Sequence, residues 1–139
     1  MKKLYLLLIM FCIVGFMSAQ SFQEYYKIGL NFNEGNFSFN SINIELSDKP
    51  IKNYFGFYLV KVIDFENKSL NWTYFNVPNE ILYDATDENW TINGGGLLVL
   101  NETNFTIYVP YYPNANQIII YNENLTEKLK IDVSMFSKV

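Results

Sequence analysis

The stretch YKIGLNFN, residues 26–33, decides the fold class because large apolar residues occupy every second position. These apolar positions are Tyr26, Ile28, Leu30 and Phe32. Successive side chains of a β-strand point to opposite faces, so a period of two predicts a strand with one buried face and one solvated face. The following segment, Asn33-Glu34-Gly35, predicts a turn that ends this strand.

The same pattern recurs between turn signals along the rest of the chain. Alternating apolar residues return at positions 105–109 and 129–133, while residues 55–65 are apolar on both parities, as in the central strand of a sheet. Eight or so short strands at this spacing, with no helical period beyond residue 19, predict an all-β fold, an antiparallel β-sandwich of immunoglobulin-like type. We expect its inward side chains to include Tyr26, Ile28, Leu30, Val60, Val62, Phe105, Ile107, Val109 and Ile131.

Two local irregularities are expected within this pattern. The apolar residues change parity near Asn40 and Ser41, which requires either a β-bulge or a crossing between sheets. The run Gly94-Gly95-Gly96 lacks the lysine and the following helix of a phosphate-binding loop. We therefore interpret the glycines as a turn or a bulge with positive φ.

The first 19 residues predict an exported protein. Two lysines precede an apolar run over residues 4–17, and Ser18 and Ala19 follow it, which is the order of a cleavable signal peptide. The run is short for a membrane span, which needs about 20 residues. We predict a signal-peptide helix over residues 1–19, cleaved after Ala19, and a single domain over residues 20–139 with no membrane span. An uncleaved anchor is the alternative.

The composition of residues 20–139 excludes several functions. This region has no Cys, His or Arg, so disulfides, Ser-His-Asp catalysis and imidazole metal sites are all ruled out. Its 8 lysines and 14 acidic residues leave a net charge of −6, which disfavours nucleic acid and anionic lipid surfaces as partners. We expect no enzymatic activity, although two carboxylates across a cleft could in principle hydrolyse a glycoside.

Asn-x-Ser/Thr sequons are far more frequent after residue 19 than chance predicts. The region's 18 Asn and 13 Ser/Thr would give about two sequons by chance, and it contains seven. The candidate glycosylation sites are Asn36, Asn67, Asn71, Asn89, Asn101, Asn104 and Asn124. Both sequon ends face solvent on a strand only if the middle residue points inward. Five middle residues are large and apolar, and we expect them inside: Phe37, Trp72, Trp90, Phe105 and Leu125. Alternatively, these asparagines make cross-strand hydrogen bonds.

Two further segments are candidate sites. Asp84, Asp87 and Glu88 are oxygen ligands of the kind that Ca²⁺ prefers, but the glycine and the Asp-x-Asp alternation of a calcium loop are missing. A solvated acidic loop is therefore the alternative, and no other metal or cofactor is expected. Tyr111 and Tyr112 stand between two prolines in a predicted hairpin tip, where rigid amphipathic rings suit recognition. They could instead fold back as caps of the hydrophobic core.

The C-terminal third carries a family resemblance. The segment FTIYVPYYPNANQIIIY at residues 105–121, followed by LKIDVSMF at residues 129–136, resembles the closing hairpin of small secreted immunoglobulin-like β-sandwich proteins and modules from archaea and some bacteria. The resemblance implies the fold and a secreted setting, and it transfers no catalytic residue.

Three classes of function remain open. The first is a secreted or cell-surface, non-enzymatic β-sandwich that acts as an interaction, assembly or envelope module through a protein or glycan at the cell exterior. The second is a carbohydrate-binding or other small-ligand module, which would show coplanar exposed aromatic rings in a groove. The third is a hydrolase, which requires facing carboxylates within about 10 Å. We expect the first.

Overall fold

The computed structural model of the protein describes residues 22–48, 55–88 and 90–139. The predicted signal peptide and sequon residue Asn89 lie outside these ranges. The described chain forms nine strands and one short 3-10 helix, Ser134–Phe136. The strands are β1 (Gln23–Asn33), β2 (Asn36–Ser47), β3 (Tyr58–Asp64), β4 (Ser69–Phe75), β5 (Glu80–Thr86), β6 (Ile92–Val99), β7 (Glu102–Pro110), β8 (Ala115–Tyr121) and β9 (Glu127–Asp132).

The strands form three antiparallel sheets. One sheet has the order β2-β1-β7, the second has the order β4-β3-β8-β9, and β5 and β6 form a separate hairpin. The first two sheets contribute to one buried apolar cluster between them, which is the arrangement of a β-sandwich. The predicted all-β class is confirmed.

Strand β1 lies at the centre of the three-stranded sheet, and its pattern of burial follows the sequence. Tyr26, Ile28 and Leu30 are fully buried, while the residues between them are half-buried. The predicted turn follows β1, and Glu34 and Gly35 both have positive φ, as tight β-hairpin turns require. The predicted irregularity in β2 is a bulge, because Gly29 pairs with Ser41 and Leu30 pairs with Phe39. Asn40 is therefore the extra residue.

The predicted core is confirmed. Of the inward-facing residues expected from the sequence, all are buried except Phe105, which is half-buried and packs against the same cluster. Aromatic rings fill one end of this core, with centroids of neighbouring rings 4.9–6.4 Å apart. Contacts at these distances add stability beyond the area they bury.

Strand β3 lies inside its sheet between β4 and β8, as the apolar run at residues 55–65 predicts. The strand is shorter than that run, however, and spans Tyr58–Asp64. Phe55, Phe57 and Phe65 lie outside it and are exposed. The apolar run therefore marks the strand but not its ends.

The β5–β6 hairpin leaves the sandwich between β4 and β7. Its base is closed by a hydrogen bond from the Leu100 amide to the Asn79 carbonyl at 2.7 Å. The predicted glycine turn is wrong, because Gly94, Gly95 and Gly96 lie within β6 opposite Ala85, Asp84 and Tyr83. A bulge lies beside them, where Thr86 pairs with Ile92. The glycines therefore pair with residues of β5, and the chain does not change direction at them.

Replacing Ile107 with alanine tests the shared core. Ile107 is buried between the sheets, so Ile107→Ala should lower the free energy of unfolding by about 2–5 kcal/mol through lost burial and a residual cavity. Chemical denaturation followed by circular dichroism measures the loss. The matched control is Thr106→Ala, since Thr106 is the exposed neighbour on the same strand. Equal stability of both variants would contradict the proposed packing.

Candidate functional site

The β5–β6 hairpin exposes large apolar side chains on both of its faces. The cross-strand pair Ile81 and Leu98 lies on one face, and the next pair, Leu82 and Leu97, lies on the other. Leu82 is 84% exposed, and about half of each of the other three side chains is exposed. The larger apolar surface also includes Tyr83 and Val99. Contiguous apolar surface of this kind marks contact sites in soluble proteins.

The backbone of this hairpin is also open to a partner. In the part of the chain that the structure describes, β5 and β6 pair only with each other, so the outer edge of each strand is left without a neighbouring strand. Natural edge strands are commonly protected by Lys or Pro, and residues 80–99 contain neither. A two-stranded hairpin is by itself marginally stable in water. Apolar faces and open edges together favour burial against another molecule.

The hairpin tip is acidic and is organised by Asp87. The Thr91 amide donates to Asp87 Oδ1 at 2.9 Å, and the Trp90 amide donates to the Asp87 carbonyl at 3.0 Å. Asp84, Asp87 and Glu88 are all exposed. Among the described residues, no group of three acidic, His or Cys side chains is placed to hold a metal ion. The segment has the character of a solvated acidic loop.

The structure places Tyr111 in the core. The predicted hairpin at residues 105–121 is wrong, because β7 ends at Pro110 in one sheet and β8 begins at Ala115 in the other. Tyr111 is 8% exposed, its ring centroid lies 5.2 Å from that of Tyr26, and its hydroxyl donates to the Phe136 carbonyl at 2.8 Å. The core-cap alternative therefore holds for Tyr111.

Tyr112 and Tyr26 complete this end of the core. Tyr112 is half-buried against the cluster, and the hydroxyl of Tyr26 donates to its carbonyl at 3.4 Å. Burial raises the pKa of Tyr26 well above its ordinary range, because a phenolate there would lose its hydration. Tyr111 and Tyr112, which lie where the chain passes from one sheet to the other, are therefore packed and offer little free aromatic surface.

Both tryptophans are exposed, which contradicts their predicted role as core anchors. Trp90 is 86% exposed at the hairpin tip, where its φ is positive, and Trp72 is 57% exposed on β4. Trp72 contacts Tyr74 edge-on, with the ring planes at 81°. Two rings at this angle do not form the coplanar platform that a sugar ring would stack on.

The sequon asparagines occupy varied positions. Among the described residues, the exposed ones are Asn36, Asn67, Asn101, Asn104 and Asn124, whereas Asn71 is half-buried. The expected inward middle residue is right for Phe37 and partly right for Phe105, and it is wrong for Trp72, Trp90 and Leu125. Trp90 and Leu125 lie in turns with positive φ, where alternation does not apply. Asn104 also accepts cross-strand hydrogen bonds from Asn31 and Asn40, each at 3.2 Å.

A groove of about 580 Å³ opens at one end of the sandwich. Phe57 and Tyr58 supply aromatic surface to it, and Asn76 and Asn122 supply amide groups. Burial, with a smaller effect from the nearby Glu123 charge, raises the pKa of the Tyr58 hydroxyl, so this group remains a neutral donor. The lining also includes two carboxylates, Glu80 and Glu123, and the ammonium of Lys128. Aromatic and amide groups of this kind suit a polar small molecule.

Comparison with known proteins identifies no relative. No protein-family model, curated protein or solved structure matches the chain. Within the described ranges, no helix has both the length and the apolar character of a membrane span. The function is therefore inferred from the sequence and the surface of this molecule.

The Tyr111 hydroxyl can be tested directly. Tyr111→Phe removes the donor to the Phe136 carbonyl and should destabilise the fold by about 0.5–1.5 kcal/mol, since that acceptor loses its partner. Thermal or urea unfolding gives the value. Tyr112→Phe is the matched control, because Tyr112 is only half-buried and should change stability less. A larger effect at Tyr112 would reverse the assignment of the core cap.

Proposed function

We propose that this protein is a secreted or cell-surface, non-enzymatic β-sandwich that acts as an interaction, assembly or envelope module, with the β5–β6 hairpin as its contact surface. The exposed apolar side chains of this hairpin carry the proposal. Fully burying an exposed aliphatic side chain is worth about 1.5–3 kcal/mol. Leu82 is largely exposed and can gain most of this value, while Ile81, Leu97 and Leu98 can gain about half of it each.

The hairpin replaces Tyr111 and Tyr112 as the preferred contact. A recognition residue must reach its partner without dismantling the fold, and Tyr111 is packed against Tyr26. The hairpin meets this requirement because its base is closed at Asn79 and Leu100 and its strands pair with each other. Binding there would leave the sandwich core undisturbed.

The extracellular setting is supported by independent features of the sequence. The signal-like segment at residues 1–19 and the seven sequons suit export and N-glycosylation. Five sequon asparagines have exposed side chains, as a glycan requires. The immunoglobulin-like type is part of this proposal, and it is supported by antiparallel sheets of three and four strands that share one core.

Binding of a small carbohydrate is the second candidate. The groove beside the hairpin base favours it, because Phe57 is 69% exposed there and could stack on a sugar face beside the side-chain amides of Asn76 and Asn122. Hydrolysis is the least favoured class. Glu80 and Glu123 line the groove together with the ammonium of Lys128, whereas a glycosidase needs two carboxylates in different environments, one as acid and the other as nucleophile or base.

Export predicts a defined N-terminus. The protein recovered from the medium or the cell surface should begin at Gln20, and its intact mass should exceed that of residues 20–139 by whole glycans if sequons are used. N-terminal sequencing and mass spectrometry before and after enzymatic deglycosylation measure both. A protein that begins at Met1 would contradict cleavage and favour the anchor alternative.

A charge placed on the hairpin should abolish attachment. Leu82→Lys should leave the melting temperature nearly unchanged, because Leu82 is largely exposed, and should weaken attachment to the envelope or partner at least tenfold through the cost of burying an ammonium. A binding assay with purified envelope measures this effect. Leu46→Lys is the matched control, since Leu46 is an exposed leucine on β2.

The same assay separates the two candidate functions. If Leu82→Lys attaches normally while Phe57→Ala does not, the groove is the binding site and the proposal for the hairpin is wrong. If both variants attach normally, neither surface is the contact.

A further inference from the structure

We propose that the hairpin's partner is a second copy of this chain, with β6 of one copy pairing antiparallel to β6 of the other about a two-fold axis beside Gly96. The product is a four-stranded sheet with the order β5-β6-β6-β5. This inference rests on the proposed function, because it uses the same hairpin and specifies what covers it.

The sequence of β6 is complementary to itself in this register. Residues 94–99 read GGGLLV, so three positions without side chains precede three large aliphatic ones. With Gly96 on the axis, Leu97 lies opposite Gly95 of the partner copy and Leu98 lies opposite Gly94. Each leucine then meets bare backbone, and the strands can approach closely without a clash between side chains.

The symmetry also agrees with the two faces of the hairpin. A two-fold axis perpendicular to the sheet keeps each face on its own side, so paired residues must have the same parity. Gly94 and Leu98 share a face with Ile81, while Gly95 and Leu97 share the opposite face with Leu82. Each face of the combined sheet therefore carries apolar residues from both copies.

Within the described part of one copy, no close contact requires a glycine at position 94. A Cβ at Gly95 would lie 2.8 Å from the Tyr83 carbonyl oxygen, so the backbone of the hairpin requires that glycine. A Cβ at Gly96 would lie 2.7 Å from the Tyr83 hydroxyl, which is the far end of a half-exposed side chain and can move aside. A Cβ at Gly94 would meet only the Ala85 Cβ at 3.8 Å, an ordinary contact, and its φ is not positive. In the paired sheet, Gly94 leaves space for the Leu98 side chain of the second copy.

Charge favours β6 over β5 as the pairing edge. Residues 92–99 carry no ionisable side chain, whereas β5 carries Glu80 and Asp84. Antiparallel pairing of two β5 strands centred on Leu82 would set Glu80 opposite Asp84, and like charges directly opposite destabilise a sheet. Pairing through β6 keeps these carboxylates on the outer strands.

The acidic tips do not oppose the antiparallel arrangement. Trp90 is six residues from Gly96, which is about 20 Å along a strand, so the two tips point away from each other roughly 40 Å apart. That separation is several times the Debye length of about 8 Å at physiological ionic strength. Parallel pairing would instead bring Asp87 and Glu88 of both copies together.

Disulfide trapping tests the pairing and its register. The full chain carries Cys12→Ala, so that Gly94→Cys and Leu98→Cys variants each contain one thiol. The exported variants are mixed and oxidised by air with a copper–phenanthroline catalyst. A cross-linked dimer containing one chain of each type is expected, because residue 94 of one copy lies opposite residue 98 of the other where the two β6 strands pair. Each variant alone should cross-link much less, since identical positions lie about 13 Å apart and bridged Cα atoms lie within about 7 Å.

The control replaces Gly94→Cys with Leu82→Cys, which lies on β5 and is more exposed than any other β5 or β6 leucine described. Random collisions would favour this control, whereas β6 pairing predicts less product from it. Equal yields from control and test mixtures would overturn the proposal. Sedimentation velocity of the unsubstituted exported chain provides an independent measurement that does not depend on how the variants fold, and a monomer at the cross-linking concentration would also overturn it.

These results are separable from the proposed function. If Leu82→Lys loses attachment to the envelope but the mixture of Gly94→Cys and Leu98→Cys gives no excess dimer, the hairpin is a contact for a different partner and the self-pairing is wrong. If a dimer is trapped through β6, self-association through the hairpin is established whatever the envelope assay returns.

Discussion

Burial of the alternate side chains of β1 between two sheets is the constraint on which the rest of this structure depends. β1 is the central strand of its sheet, and Tyr26, Ile28 and Leu30 belong to the one buried cluster to which both sheets contribute. No disulfide can reinforce the domain after residue 19, because it contains no cysteine. A slip of one residue in β1 would turn its buried face to water, so the core specifies the register of β1 as well as its stability.

The sequence predicted features that depend on local periodicity. The strand at residues 26–33, the turn at Glu34 and Gly35, the irregularity at Asn40 and the interior position of β3 all follow from alternation or its interruption. Each of these features is determined by residues close in sequence, or by whether a strand is apolar on one face or on both. For such features the sequence of a single chain is sufficient.

The sequence was misleading where distant segments decide the outcome. Tyr111 resembles a surface residue because two prolines flank it, yet Tyr26 and Phe136 surround it in space. Trp72 and Trp90 are large enough to be core residues, but the core is already filled by residues of the two facing sheets, and Trp90 stands on a hairpin outside them. Gly94-Gly95-Gly96 has the composition of a turn, and only the pairing with β5 shows it to be a strand. The hairpin surface itself was missed, although its signal, apolar residues without Lys or Pro across positions 80–99, was present.

The hydrogen bond between the Asn79 carbonyl and the Leu100 amide separates the β5–β6 hairpin from the two core sheets. The chain leaves the sandwich at one point and returns beside it, so residues 80–99 form an insert whose two ends lie next to each other. Natural variation or protein engineering could exchange this insert for another sequence while the two core sheets keep their packing. The sandwich would then act as a scaffold, and related proteins could bind different partners by exchanging this one segment of about 20 residues.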